Sequence, residues 1–234
     1  MALADDLISD VYKIAVGSWS ITDGKVVPET EDIGLGNVGV RIEAVMLYAD
    51  LADSTEMVVH SHAIAAEVFK AFLHCSSKII LARNGYIRSF DGDRVMGVFV
   101  GDLKNTNAAT AALNINWAVT KVLSPQFNMY DVFKNGTLKI AHCTGVDRSA
   151  VLIARAGVRN NNDLIFVGQA ANVAAKLSTV RESPYHSYIT KSVYDAVADT
   201  AKLYQGTNMW ESRTWKVLPA GSTDLYRSSW WLRP

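Results

Sequence analysis

Two acids and an amide/cation pair stand where their side chains could act on a phosphorylated ligand. Asp50 closes an alternating run over 41–50, in which Ile42, Ala44, Met46, Tyr48 and Asp50 share one face of a strand and Val45, Leu47 and Ala49 the other. Asp93 follows Asp91-Gly92, a dipeptide that supplies the positive φ of a two-residue hairpin turn, inside the strand-like runs of 85–99. A strand end and a hairpin tip both present side chains at a sheet edge, and two acids so placed repel unless a cation lies between them. Oxygen ligands completed by phosphate suit Mg²⁺ or Mn²⁺. Either acid alone reads equally well as a turn residue or a strand cap. Ser54 and Thr55 open a helix just past Asp50, and the first N–H groups of a helix form a seat for phosphate. Asn172 and Lys176 lie four apart, hence on one helical face, beside alanines that allow a partner close approach.

The elements that must position these groups follow from periodicity and breakers. Apolar residues at helical spacing over 2–17 predict a helix, and a polar, glycine-containing stretch over 18–39 reads as a linker. Both faces of 41–50 are apolar, so that strand is central. A helix starts near Asp53-Ser54-Thr55 and carries Met57, Ile64, Val68 and Phe72 on one stripe. An alanine-rich helix over 105–122 ends before Pro125. Strands follow at 138–145 and 150–158, a polar loop at 159–163, a strand at 164–167 and a small-residue helix at 168–178. A strand at 187–189, a helix at 190–198 and strands at 213–218 and 224–228 complete the chain. This alternation, without repeats, is α/β or α+β, with 1–40 as N-terminal helix and linker and 41–234 as one domain.

Composition limits the partners. Among 234 residues, 23 Lys and Arg balance 23 Asp and Glu, so no global field draws the protein to nucleic acid or an anionic membrane. No apolar window reaches the roughly 18 to 20 residues of a spanning helix. The first ten residues carry acids where a signal peptide carries bases. A soluble, cytoplasmic protein is expected. Cys75 and Cys143 lie outside any disulfide or zinc spacing and read as free thiols. His60 and His62 read as surface residues; Trp210, Trp215, Trp230 and Trp231 read as packing of the last strands, with a dimer or effector contact as the alternative.

Leu47-Tyr48-Ala49-Asp50-Leu51-Ala52-Asp53-Ser54-Thr55, Gly92-Asp93 within its hairpin, and Gly168-Gln169-Ala170-Ala171-Asn172-Val173-Ala174-Ala175-Lys176-Leu177 together resemble, in order and spacing, the class III adenylate and guanylate cyclase catalytic domain over about 41–227. The resemblance implies an α+β sandwich with a ferredoxin-like βαββαβ core. It implies a nucleoside triphosphate substrate and a head-to-tail homodimer with two sites at its interface. Asp50, Asp93 and the Leu51 carbonyl of one subunit would hold two divalent ions, Mn²⁺ or Mg²⁺. Asn172 of the other would orient the ribose, and Lys176 would stabilise the transition state. Lys216, ahead of Asp224-Leu225-Tyr226-Arg227, loosely resembles the family's triphosphate-binding lysine.

The chain departs from that pattern in three places. Lys176 stands where the family has Arg, replacing a planar fork with a point charge. The two base-reading positions are Ser89 and Ile165, neither the adenine-type Lys/Asp pair nor the guanine-type Glu/Cys pair, and a site without its hydrogen-bonding pair does not select a purine strongly. Tyr48, on the Asp50 face, narrows the pocket further. A cyclase domain of this size without sensor, membrane or effector segments and with altered base-reading positions resembles the pyrimidine cyclases of bacterial antiphage signalling, the Pycsar type, which implies UTP or CTP as substrate, uridine slightly favoured, and a separate effector that responds to the cyclic product. An adenylate cyclase with unusual base contacts and a catalytically silent nucleotide-sensing domain stay open beside it. A polymerase or diguanylate cyclase palm shares hairpin carboxylates but lacks the Gly-Gly-Asp-Glu/Phe hairpin and leaves the Asn172 helix unexplained.

Overall fold

Apolar side chains on both faces of 42–51 demand cover on both faces, and the fold supplies it. The computed structural model describes residues 2–218 and 221–234, with side chains at all of these except 216–218 and 221–223. In chain order the elements are α1 (Leu3–Val16), β1 (Ser20–Asp23), β2 (Val38–Ala52), α2 (Ser54–His60), α3 (His62–Ala82), β3 (Gly85–Asp91), β4 (Arg94–Phe99), α4 (Lys104–Ala118), α5 (Ser124–Phe127), α6 (Asp131–Lys134), β5 (Ala141–Val158), β6 (Asn161–Val167), α7 (Gln169–Leu177), β7 (Ser187–Thr190), α8 (Lys191–Ala196), α9 (Asp199–Lys202), β8 (Leu203–Tyr204), β9 (Thr207–Asn208), β10 (Glu211–Leu218) and β11 (Gly221–Ser228).

The main sheet is ordered β10-β11-β7-β5-β2-β4-β3, with β1 beside β2 and β6 beside β5. β2 lies between two antiparallel neighbours, β4 and β5, and β3 pairs with β4. The βαββαβ unit from β2 to β5 therefore sets its first strand between its last and its third, the ferredoxin-like arrangement. Val45, Leu47, Ala49 and Leu51 face α3 and α4, in a core with Phe72, Ile80, Leu113 and Ile115. Ile42, Ala44 and Met46 face the opposite way, in a core with Val151, Ile153, Ala170 and Ala174. Burying one such large side chain stabilises by roughly 1.5–3 kcal/mol relative to exposure. The place of Asp50 is thus fixed by hydrophobic burial along its own strand. On the second face α7 rides directly on β5: a Cβ at Gly145 would stand 2.3 Å from the Ala174 carbonyl oxygen and 2.5 Å from Leu177 Cβ.

Several expectations shift by local physics. The helix expected from 53–55 is two helices, broken at Ser61, whose extended backbone (φ −163°, ψ 118°) lets its Oγ accept a hydrogen bond from Ile64 N. Pro125 does not end the alanine-rich helix. A π-helical turn at Val119–Leu123 carries it onward, and the proline falls in the first turn of α5, where its missing N–H costs little. The strands expected at 138–145 and 150–158 are one strand, β5, running through Asp147-Arg148-Ser149 and starting at Ala141. Asp147 is buried there because Thr190 Oγ1 donates to it at 2.6 Å. The stretch 18–39 joins the body: β1 pairs parallel with β2, and Val27 and Ile33 enter the α7-side core.

α1 has no buried residue. It is held at its end by Asn37 Nδ2, which donates to the carbonyls of Ile14 (2.9 Å) and Gly17 (2.6 Å). Beyond β11 the chain straps across α4, where Asn114 Nδ2 donates to Leu232 O (2.8 Å) and Asn116 Nδ2 to Trp230 O (2.9 Å). Trp210 is buried, with Nε1 donating to Ala201 O, and Trp230 packs on the same core, so these two are packing residues. Cys75 and Cys143 are free, and burial pushes the Cys143 thiol up to about 12, which keeps it inert. Among the described residues no helix is long and apolar enough to cross a membrane.

His142 on β5 is fully buried, stacked on His186 with ring centroids 5.4 Å apart, and neither of its ring nitrogens has a hydrogen-bond partner among the described residues. Burial holds its pKa well below the ordinary imidazole value, and the charges of His186 and Arg181 act in the same direction. The unfolded chain takes up this proton below about pH 6.5 while the folded chain does not, so stability is lost as pH falls through that value. His142→Phe, which keeps an aromatic ring against Phe72, should flatten the loss of melting temperature between pH 7 and pH 5. Equal slopes for the two proteins would remove His142 as the cause.

Candidate active site

Asp50 is the third residue from the end of β2, opposite Arg94, the first residue of β4. Asp91 pairs with Arg94, so the two turn residues of the β3–β4 hairpin are Gly92 and Asp93, one residue later than the Asp91-Gly92 turn expected. Gly92 takes the positive φ (60°) at the first central position, the requirement of a II′-type turn. Asp93 is thereby set next to the strand partner of Asp50. Its Oδ2 is buried and has no hydrogen-bond partner among the described residues.

The Asp50 carboxyl is held above its ordinary range, first by burial, then by the negative charge of Asp93, with Arg181 acting in opposition. Arg181 Nη2 lies 3.3 Å from Asp50 Oδ2 and donates to the Leu51 carbonyl at 3.0 Å. Since the net direction is still upward, that ion pair compensates only part of the cost. Two crowded carboxylates and a carbonyl oxygen, one carboxylate oxygen buried without a partner, fit a divalent cation. Among the described residues no three His, Cys, Asp or Glu side chains group as a metal cage, so a cation here would complete its shell from a ligand such as phosphate. Ser54 and Thr55 open α2 immediately after Asp53, which adopts the left-handed conformation (φ 55°) that turns the chain from strand to helix.

Beside the carboxylates lies a second group. Tyr48, Ser89 and Met96 stand in register across β2, β3 and β4. The Tyr48 hydroxyl donates to Met96 Sδ at 3.0 Å, and Ser89 Oγ lies 3.6 Å from the same sulfur. The Arg94 guanidinium carbon sits 5.4 Å from the Tyr48 ring centroid. Burial raises the Tyr48 pKa, so its hydroxyl stays protonated and able to donate.

The remaining residues lie elsewhere in the chain. Asn172 and Lys176 are exposed on the outer face of α7, and neither side chain forms a hydrogen bond or ion pair among the described residues. Ile165 is half-exposed on β6 opposite Ala154. Lys216 lies in β10, and its side chain is outside the described residues. One chain thus joins Asp50, Leu51, Asp93, Tyr48 and Ser89 at one corner and leaves Asn172 and Lys176 facing outward. Sequence reasoning missed Arg94, Met96 and Arg181. Arg94 was adjacent to the Asp93 motif and could have been found; Arg181, in the loop past α7, carried no signal. A cavity of about 520 Å³ between Tyr204 and the segment from Ser229 to Arg233 contains none of these residues.

The fold is that of class III nucleotide cyclase catalytic domains: the crystal structure of the guanylyl cyclase Cya2 superposes with a TM-score of 0.69 at 15% identity, over 84% of this chain and 96% of that one. No protein-family model matches the chain. Among curated proteins it is 42% identical over 238 residues to the "Uridylate cyclase" of Rhodovulum sp. (strain MB263), covering 100% of this chain and 99% of that protein. It is 40% identical over 232 residues to the "Uridylate cyclase" of Xanthomonas perforans, covering 98% of each. The chain belongs to this uridylate cyclase family.

The Asp50–Asp93 repulsion predicts a stability cost. Asp93→Asn keeps a good turn residue and removes one of the two charges. It should raise the melting temperature in EDTA, by the equivalent of a few tenths to about 1 kcal/mol. A lower melting temperature would show that Asp93 stabilises the metal-free fold instead.

Proposed function

We propose that this chain is a pyrimidine nucleotide cyclase that closes UTP, or CTP, into the 3′,5′-cyclic monophosphate and releases pyrophosphate. The observation that carries the reading is the Asp50–Asp93 corner, with Asp93 Oδ2 buried and unpartnered, in a chain 42% identical over its full length to a protein called uridylate cyclase. Asp50, Asp93 and the Leu51 carbonyl would hold two divalent ions, Mn²⁺ or Mg²⁺, which when bound would lower the pKa of the ribose 3′-hydroxyl and neutralise the triphosphate. The 3′-hydroxyl gives its proton to water and its oxygen bonds to the α-phosphorus as the bridging oxygen leaves with pyrophosphate, and no side-chain nucleophile is needed. The N–H groups at Ser54 and Thr55, together with Lys216, receive the triphosphate. Tyr48 and Ser89 face the base at this corner, and Ile165, which lies away from the corner in its own chain, reaches the base only from a second copy.

The working unit is a homodimer. Asn172 and Lys176, exposed and unoccupied within their own chain, serve the corner of a second copy, where Asn172 orients the ribose and Lys176 stabilises charge on the α-phosphate. The cyclic pyrimidine then acts in the cytoplasm as a messenger of antiphage defence, read by a separate effector protein.

Purified protein incubated with Mn²⁺ and ATP, GTP, CTP or UTP, with products identified by mass, should yield cyclic UMP or cyclic CMP, and Asp50→Ala should yield none. Cyclic AMP alone would overturn the pyrimidine assignment in favour of an adenylate cyclase; no product from any nucleotide would favour a silent nucleotide-sensing domain. Lys176→Ala should lower kcat about 100-fold or more. Mixing Asp50→Ala with Lys176→Ala should restore about a quarter of wild-type activity, because half the dimers then carry one intact site of two. A mixture as inactive as its components would overturn the shared-site dimer.

A further inference from the structure

We propose that Arg181 is a latch on the metal site: in the metal-free protein its guanidinium takes the oxygens of Asp50 and Leu51, and a divalent cation must displace it to bind. The proposal rests on the reading of those oxygens as metal ligands. β4 begins at Arg94, opposite Asp50, so past that point Leu51 has a strand partner only on the β5 side. The open side of the Leu51 carbonyl receives Arg181 Nη2 at 3.0 Å, with Asp50 Oδ2 3.3 Å from the same nitrogen. The other arm, Nη1, donates to the carbonyls of Ser178 (2.8 Å) and Val180 (3.0 Å), within its own loop. One arm thus anchors the side chain where it originates and the other closes the site.

The closure is incomplete in a way that favours exchange. Arg181 pairs with Asp50 alone and does not reach Asp93, whose Oδ2 is buried with no partner among the described residues. A monocation with fixed planar geometry serves one carboxylate and one carbonyl, whereas a divalent ion between the acids serves both. The Arg181 side chain is 35% exposed, so the displaced guanidinium has water to enter. Arg181 also lies four residues beyond Leu177, the last residue of α7. The latch therefore ties the helix that carries Asn172 and Lys176 to the strand that carries Asp50, and metal entry loosens that tie.

The test measures Mn²⁺ binding to the full chain without nucleotide, by electron paramagnetic resonance of the free ion, for wild type, Arg181→Gln, Arg181→Lys and Asp50→Ala. Removing the latch should tighten Mn²⁺ binding by about three- to tenfold in Arg181→Gln, with Arg181→Lys between it and wild type. In EDTA the Arg181→Gln protein should melt lower than wild type and gain more from added Mn²⁺. Equal or weaker Mn²⁺ binding by Arg181→Gln would overturn the latch, since a residue that only braces its loop, or only orients Leu51, gives one of those results. Should Arg181→Gln fail to fold, Arg181→Lys decides alone: tighter binding than wild type supports the latch, and equal binding overturns it. Undiminished Mn²⁺ binding by Asp50→Ala would instead overturn the metal-site assignment itself.

Discussion

Two carboxylates brought to one corner from different parts of the sheet impose the constraint around which this structure is organised. Asp50 is carried there by a strand whose neighbours are buried on both faces, and Asp93 by a two-residue turn that only a glycine at its first position makes tight. Asp50 does not choose its location by its own energetics: burial and the charge of Asp93 both oppose its ionisation. The hydrophobic layers on either side of β2 hold the acids against that opposition. At this corner the packing of the sheet overrides what the acids themselves would favour.

A second feature of the corner is the softness of its contacts. The hydroxyl of Tyr48 and, more loosely, that of Ser89 are directed at one thioether sulfur, a weak acceptor. A hydroxyl so partnered gains by exchanging sulfur for a carbonyl oxygen or ring nitrogen of a ligand, whereas one already bound to a carboxylate would not. These two side chains are therefore placed by strand register and left weakly committed in hydrogen bonding.

The carboxylates and the α7 face were legible in the sequence because each is encoded locally, by period-two alternation up to Asp50, a glycine beside Asp93, and four-residue spacing between Asn172 and Lys176. The element pattern left α/β and α+β both open, and the family resemblance pointed to α+β. The details that escaped depend on distant partners. Asp147 looked like a strand break because the hydroxyl that satisfies it, Thr190, lies 43 residues away. Pro125 looked like a helix end because a π turn ahead of it leaves no trace in composition. Arg181 and Asp50 are 131 residues apart, and an arginine in a polar loop carries no local sign of the oxygens it meets. The linker reading of 18–39 followed from polar composition, which concealed two buried anchors, Val27 and Ile33.

α1 stands apart from these relations. Its fourteen residues contribute nothing to either core, and two carbonyls held by Asn37 are its attachment to the body. Isolated helices of that length sit at the margin of persistence in water. α1 is therefore a separate cooperative unit with a low opening free energy, able to fray and reform while the sheet stays intact. Its amide protons should exchange with solvent orders of magnitude faster than those of β2, and any surface that comes to cover its apolar side chains will announce itself first as slowed exchange in this one segment.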